Sequence, residues 1–244
     1  MVTYLCYTGG KSRRKNTILE EFKMNIAIDG PAGAGKSTIA RLAAQRLGFL
    51  YVDTGAMYRA IALYLLDTKT DIEDKAKLTN ALDHIRINIA YEKDVQHVFL
   101  NLQDVSAEIR SEKVGNMASK TAALPEVRAK LLDLQRDIAA KNDVLMDGRD
   151  IGTNILPNAE LKIYLTASVE VRAERRFKEL KQMGGKPNLE VIKADIEKRD
   201  YQDMNREIAP LKQAEDAVLV DSSNMSIEEV VNEIVKLAKE RMAE

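Results

Sequence analysis

Residues 25–38 constrain this chain more than any other stretch. Asn25-Ile26-Ala27-Ile28-Asp29 is a short apolar run of strand type, and 37–47 has the spacing of an amphipathic helix. Between them stands Gly30-x-x-x-x-Gly35-Lys36-Ser37, the pattern of a phosphate-binding loop. Glycines let such a loop turn its backbone N–H groups inward, which suits phosphate oxygens. The helix behind it adds its unpaired N–H groups and the positive end of its dipole. Lys36 is then expected to reach the β- and γ-phosphates of a nucleoside triphosphate, and the Ser37 hydroxyl to sit on Mg²⁺. The expected donor-site residues are Gly30, Pro31, Ala32, Gly33, Ala34, Gly35, Lys36, Ser37 and Thr38. A strand before the loop and a helix after it separate this motif from an ordinary glycine-rich turn.

Composition narrows the classes. The chain has 244 residues, 45% of them hydrophobic, enough for a large core in one or two domains. Its net charge of −1 and pI near 6.2 give no general attraction to nucleic acid or to an anionic membrane. The one cysteine, Cys6, excludes an internal disulfide or a zinc cluster and suits the cytoplasm. The apolar run 60–66 is far shorter than a membrane span of roughly 20 residues. Residues 1–23 are expected to be a disordered extension, polar and basic at 9–15 and without periodicity. An anchoring or binding role is the alternative. A further possibility is that translation starts at Met24, because codons for Glu20-Glu21 can spell a purine-rich ribosome-binding sequence. Gly9-Gly10-Lys11-Ser12 lacks the spaced first glycine and the preceding strand, so it is not a second phosphate loop.

Further along, Gly48 stops the first helix and 49–52 reads as a buried strand. Asp53-Thr54 caps a second helix. Two short strand–helix units in succession predict a parallel, doubly wound sheet, with functional groups at the carboxyl ends of its strands. Thr54 and Arg59 fall there, and Arg59 fits an anion clamp better than a solvated arginine. From 85 to about 108 the period changes to alternation, which predicts an inserted antiparallel hairpin turning at 92–94, with a third strand at 105–106. His84 and His97 lie beside it without metal-ligand neighbours. Helices are expected over 109–141 with a break at Leu124-Pro125, then a buried strand ending at Asp147, where a carboxylate can support Mg²⁺. A strand at 161–165 leads into the arginine-rich helix 169–182 and a glycine hinge at 183–187. That helix is either a solvated basic face or part of a closing lid. Arg199, Asp203 and Arg206 share one helix face, a spacing that a surface ion-pair ladder explains adequately. Strand 217–221 and helix 226–242, with a capping box from Ser226 to Glu229, close the chain.

Four segments together resemble the bacterial cytidylate (CMP) kinases, nucleoside monophosphate kinases of the P-loop class. They are the loop 30–37, Asp53-Thr54-Gly55-Ala56-Met57-Tyr58-Arg59, Asp147-Gly148-Arg149-Asp150-Ile151-Gly152-Thr153 and Arg199-Asp200-Tyr201-Gln202-Asp203. The likeness runs from Met24 to the C-terminus. It implies an α/β P-loop kinase fold with a parallel five-stranded sheet flanked by helices. It also implies a small antiparallel insert over the monophosphate (85–124) and a short lid (178–190). It implies transfer from ATP, with Mg²⁺, to CMP and dCMP in a cytoplasmic monomer with no nucleic-acid or membrane partner. By resemblance, Thr54 lies near the acceptor, and Arg59 and Arg149 lie on its phosphate. Ser119, Arg128 and Asp150 surround the cytosine, Arg199 and Asp203 lie near pentose and phosphates, and Arg206 is a further acceptor-site arginine. Lys36, Arg59, Arg149 and Arg199 would carry the catalysis, and Ser37 and Asp147 the metal.

The residues favour this chemistry on their own terms. A phosphomonoester oxygen is already anionic near its second pKa of about 6, so it needs positioning and charge neutralisation rather than a general base. A shikimate-type kinase of a neutral alcohol would want a carboxylate beside the acceptor, a role open to Asp150 or Asp53. A P-loop regulatory module acting on a protein partner would leave the acceptor-side arginines without a purpose.

Overall fold

A computed structural model of the chain describes residues 3–4, 23–92 and 95–243. The chain opens on the two-residue β1 (Thr3–Tyr4), and then β2 (Asn25–Asp29) leads through the phosphate loop into α1 (Lys36–Leu47). Gly48, at φ 73, ends α1 in the left-handed conformation that glycine adopts without steric cost. β3 (Leu50–Asp53) and α2 (Thr54–Asp67) follow, and the Asp53 carboxylate caps α2 by accepting from the Ala56 N–H at 2.9 Å. Such a cap contributes about 1 kcal/mol. A helix that the sequence reading did not contain, α3 (Lys75–Asp83), is capped in the same way by Asp74.

The inserted lobe consists of β4 (Ile87–Glu92), β5 (Val95–Leu100), β6 (Gln103–Asp104), a 3₁₀ turn (Glu108–Arg110) and α4 (Glu112–Thr121). β4 and β5 are antiparallel, with Glu92 opposite Val95, and the turn residues 93 and 94 lie outside the described residues. The third strand stands at Gln103–Asp104 rather than at 105–106. Asn101 and Leu102, both at positive φ, turn the chain early. Val105 still donates to the Val98 carbonyl, but the Val98 N–H is taken by the Ser106 hydroxyl, which ends the backbone ladder there. β1 pairs antiparallel with β4 (Thr3 opposite Tyr91); the rest of the expected extension up to Phe22 lies outside the described residues.

α5 (Pro125–Lys141), with proline at its first turn, returns the chain to β7 (Val144–Gly148). A π-helical turn (Ile151–Ile155) follows, then β8 (Leu161–Thr166), α6 (Val169–Gln182), α7 (Leu189–Asn205), β9 (Val218–Asp221) and α8 (Ile227–Met242). The capping box of Ser226 and Glu229 on α8 is present. Strands β3-β7-β2-β8-β9, in that spatial order, form the expected five-stranded sheet, parallel throughout.

Both faces of the sheet are covered, which is why its strands are apolar at consecutive positions. Ala27, Val52, Val144 and Met146 face a core shared with α2, α5 and the insert. Ile26, Ile28, Leu145 and Ile163 face the core under α1 and α8. Each large aliphatic side chain so buried contributes about 1.5–3 kcal/mol. The α6–α7 hairpin carries a small apolar cluster of its own, Ala173, Ile192 and Ile196, apart from both. Among the described residues no helix is long and apolar enough to cross a membrane. His84 contacts the Asn80 carbonyl and His97 pairs with Asp104.

Candidate active site

The carboxyl ends of β2, β3 and β7 open on one cavity of about 290 Å³. Its donor side is the loop between β2 and α1. Gly30 is irreplaceable there, since a Cβ at that position would meet the Leu165 carbonyl oxygen of β8 at 1.9 Å. Gly33 and Gly35 are left-handed at φ 75 and 84. Gly35 caps α1 without a side-chain hydrogen bond, so the first N–H groups of the helix have no intrahelical acceptor and face the loop. The Lys36 ammonium folds back to the Pro31 carbonyl at 2.7 Å. Burial, and then the Arg149 guanidinium, push its pKa well below the usual lysine range.

Asp147 stands on β7, level with Ile28 of β2 and Asp53 of β3. It accepts from the Ser37 hydroxyl at 3.0 Å and the Tyr51 hydroxyl at 3.1 Å, while Thr54 donates to its backbone carbonyl at 2.8 Å. Burial, followed by the neighbouring Asp53 charge, raises its pKa to about 6. A buried carboxylate beside a hydroxyl is a set of hard oxygen donors that fits Mg²⁺.

The acceptor side is built from arginines. Arg128 and Arg206 grip opposite oxygens of the Asp150 carboxylate, Arg206 at 3.3 Å, and Asn154 adds a hydrogen bond at 3.2 Å. Arg149 Nε donates to Asp203 at 2.8 Å, and that carboxylate raises the arginine's pKa despite burial, the largest and opposing influence. Arg59 and Arg199 are different. Neither donates a hydrogen bond to any described residue, and the Arg199 Nε is a buried donor without a partner. Burial lowers the pKa of both; for Arg199, with Arg149 pressing from beside it, the value falls to about 10. The cavity wall carries six cations, Lys36 and Arg59, 128, 149, 199 and 206, against four carboxylates, Asp53, 147, 150 and 203. The excess is positive and partly unpaired, so the cavity is built for anions.

All the site residues named from the sequence line this cavity except Gly30, Pro31 and Ala34. Those three shape the loop: Gly30 by its close approach, Pro31 through its carbonyl, Ala34 by being fully buried. The surface-ladder reading of 199–206 does not hold. The partners of this segment lie on other elements, Arg149 for Asp203 and Asp150 for Arg206, and Asp200 and Asp203 are buried. The arginine-rich helix α6 is not simply solvated either. Arg172 is buried, donating to the Ala32 carbonyl of the phosphate loop at 2.9 Å and pairing with Asp200 at 2.6 Å. Sequence reasoning missed Tyr58, whose ring lies 5.9 Å from the Arg128 guanidinium. Its place in a helix beside Arg59 was the available signal.

Comparison with known proteins agrees with this geometry. The sequence profile described as cytidylate kinase matches residues 26–240. A cytidylate kinase of Lactobacillus johnsonii is 47% identical over 90% of this chain and 96% of its own length. One from Caldicellulosiruptor bescii is 49% identical over 88% of this chain and 95% of its own. One from Bacillus cytotoxicus is 49% identical over 90% of this chain and 98% of its own. The chain belongs to the cytidylate kinase family.

Proposed function

We propose that the protein transfers the γ-phosphoryl group of ATP to the phosphate of CMP, and of dCMP, giving CDP or dCDP and ADP. The observation that carries this reading is the pair Arg59 and Arg199, half-buried cations that make no hydrogen bond or ion pair with a described residue, on the acceptor side of a phosphate loop. Partial burial already disfavours their charge, and a phosphate supplies the charge-assisted hydrogen bonds these two lack.

In this reading the N–H groups of residues 32–38 and the Lys36 ammonium take the β- and γ-phosphates. Ser37 and Asp147 would hold Mg²⁺, which when bound neutralises charge on the phosphate oxygens. Arg59, Arg149 and Arg199 orient the acceptor phosphate and offset the charge that builds on the group in flight. An oxygen of the CMP phosphate attacks the γ-phosphorus, the bond from that phosphorus to the β-bridging oxygen breaks, and ADP leaves with the electron pair. No side chain has to remove a proton, because the attacking oxygen is ionised. Asp150, with three of its lone-pair positions engaged, keeps one that can accept from the cytosine amino group, and Ser119 and Arg128 flank the base. In this reading Asp203 belongs, with Arg199, to the pentose and phosphates, and Arg206 is a further acceptor-site arginine, paired with Asp150.

A kinase of a neutral alcohol fits less well. Both carboxylates that could serve as its base are committed, Asp53 to the α2 cap and Arg110, Asp150 to two arginines. The rest of the reading is a cytoplasmic monomer without nucleic-acid or membrane partners, in keeping with a net charge of −1. A coupled ADP-release assay with CMP, UMP, AMP and shikimate, each with and without Mg²⁺, tests it. CMP with Mg²⁺ should give the highest kcat/KM. Turnover of shikimate, or hydrolysis indifferent to every acceptor, would replace this reading with one of its alternatives.

A further inference from the structure

Asp29 is the last residue of β2, directly before Gly30, and it is only 5% exposed. It does not line the cavity, and its carboxylate makes no ion pair with a described residue. Instead it accepts two backbone hydrogen bonds across more than a hundred residues of chain. One oxygen takes the Ile151 N–H and the other the Gly152 N–H, each at 2.8 Å. These two residues open the π-helical turn that follows Arg149-Asp150. A Cβ at Gly152 would stand 3.1 Å from Lys162 Cδ, a tight approach to a flexible side chain, and 3.4 Å from Asp29 Oδ2, an ordinary contact.

This arrangement is expensive. Burial raises the Asp29 pKa to about 6, even with both N–H groups lowering it. A neutral side chain would fill the same space with less penalty, so the charge is kept for what it holds. On one side Asp29 is joined covalently to the loop that would cradle the donor phosphates. On the other it fixes the segment carrying Arg149, which faces the acceptor phosphate, and Asp150, which faces the base. The two halves of the site are therefore joined here by a short, buried connection, in addition to the Ser37–Asp147 hydrogen bond and the β2–β7 ladder.

We infer that Asp29 is a positioning residue that sets the register between the donor loop and the base-reading segment, and through it the discrimination between CMP and UMP. The inference rests on the proposed reaction. Ile151 and Gly152 follow the last cavity-lining residue of that segment, Asp150, and are the grip for Asp29. An alignment error on the order of 1 Å is enough to cost about 10² in rate.

The test is Asp29→Asn. The amide keeps one acceptor but turns a donor toward the other N–H, so one of the two bonds is lost. Three quantities are measured: amide hydrogen exchange at Ile151 and Gly152 without nucleotide, kcat/KM for CMP and UMP, and KM for ATP. We expect faster exchange at those two amides, a fall of about tenfold or more in kcat/KM for CMP, a narrowed CMP/UMP ratio and an ATP KM close to that of the parent. If Asp29→Asn does not fold, Asp29→Glu is read in its place, because the extra methylene displaces the same two acceptor oxygens and should narrow the ratio likewise. A folded variant with an unchanged CMP/UMP ratio, whatever its melting temperature, would overturn the inference and leave Asp29 a structural acid. Wild-type protein that ignores CMP would instead sink the proposed reaction, and the exchange measurement would still report whether Asp29 holds the segment.

Discussion

Gln96 extends the β3 ladder at Asp53. Its side-chain oxygen accepts from the Asp53 N–H at 2.8 Å and its amide nitrogen donates to the Asp53 carbonyl at 3.2 Å. β3 is an edge strand of the parallel sheet, and Asp53 is buried, so these backbone groups would otherwise be unsatisfied. Tyr91 does the same at the Tyr51 carbonyl, at 2.9 Å, and Arg110 reaches the Asp53 carboxylate at 3.3 Å. The inserted lobe thus hangs from the strand that leads into Thr54 and Arg59. Gln96→Ala leaves two buried polar groups unpaired, each worth about 1–3 kcal/mol. We expect the lobe to sit less firmly over the acceptor, raising KM for CMP several-fold while KM for ATP and kcat hold. Steady-state kinetics with each substrate varied in turn checks this; a purely structural role would lower the melting temperature and leave both KM values alone.

Lys36→Ala should lower kcat by a factor on the order of 10² or more, because it removes a charge aimed at the transferring phosphoryl group. Stability should not suffer. The ammonium is buried with one carbonyl acceptor, at Pro31, and its depressed pKa reports a strained charge rather than a supporting one. The check is kcat beside the melting temperature of the nucleotide-free protein; near-normal turnover in a folded variant would mean the loop does not hold the donor.

Much of this was legible in the sequence, and the limits have physical causes. Buried parallel strands announce themselves as apolar runs, and caps at Asp53 and Ser226 mark helix starts through local hydrogen bonds. Helix α3 escaped because a nine-residue helix with Leu78, Ala81 and Leu82 inside carries too little periodicity to stand out. The cavity's cations were visible as residue types, but their pairing was not. Arg149 with Asp203, and Asp150 with Arg128 and Arg206, join positions 22 to 56 residues apart, which spacing along one helix does not reveal. Asp29 looked like the end of a strand, and only its register opposite Gly148 brings it to the Ile151 turn.

Asp150→Asn should narrow the preference for CMP over UMP. A carboxylate accepts from the cytosine amino group but opposes the uracil carbonyl, whereas an amide can face either. The substitution also deprives Arg128 and Arg206 of their shared counter-charge, so the melting temperature should fall as well. Measuring kcat/KM for both nucleotides in parent and variant separates the two effects. A constant ratio would move base selection to Ser119 and Arg128.

Asp147→Asn gives the pH test. The folded pKa of about 6 lies above the ordinary 3.8, so the folded protein holds this proton more tightly than the unfolded chain. The contribution of Asp147 to stability is therefore fullest below about pH 4 and is lost as pH rises through about 6. Replacing it with a neutral isostere should raise the melting temperature of the nucleotide-free protein at pH 7.5, with the gain disappearing toward pH 4. Thermal denaturation across that range decides it; a gain of the same size at every pH would place the raised pKa elsewhere.

The central claim is that a phosphate, and not a hydroxyl or water, accepts the γ-phosphoryl group. Phosphorus NMR of the enzyme with equimolar ATP, CMP and Mg²⁺ reads it directly. The account predicts that ATP and CMP signals decline together while ADP and CDP resonances grow in equal amounts, with no build-up of inorganic phosphate. Inorganic phosphate appearing alongside unchanged CMP would contradict it.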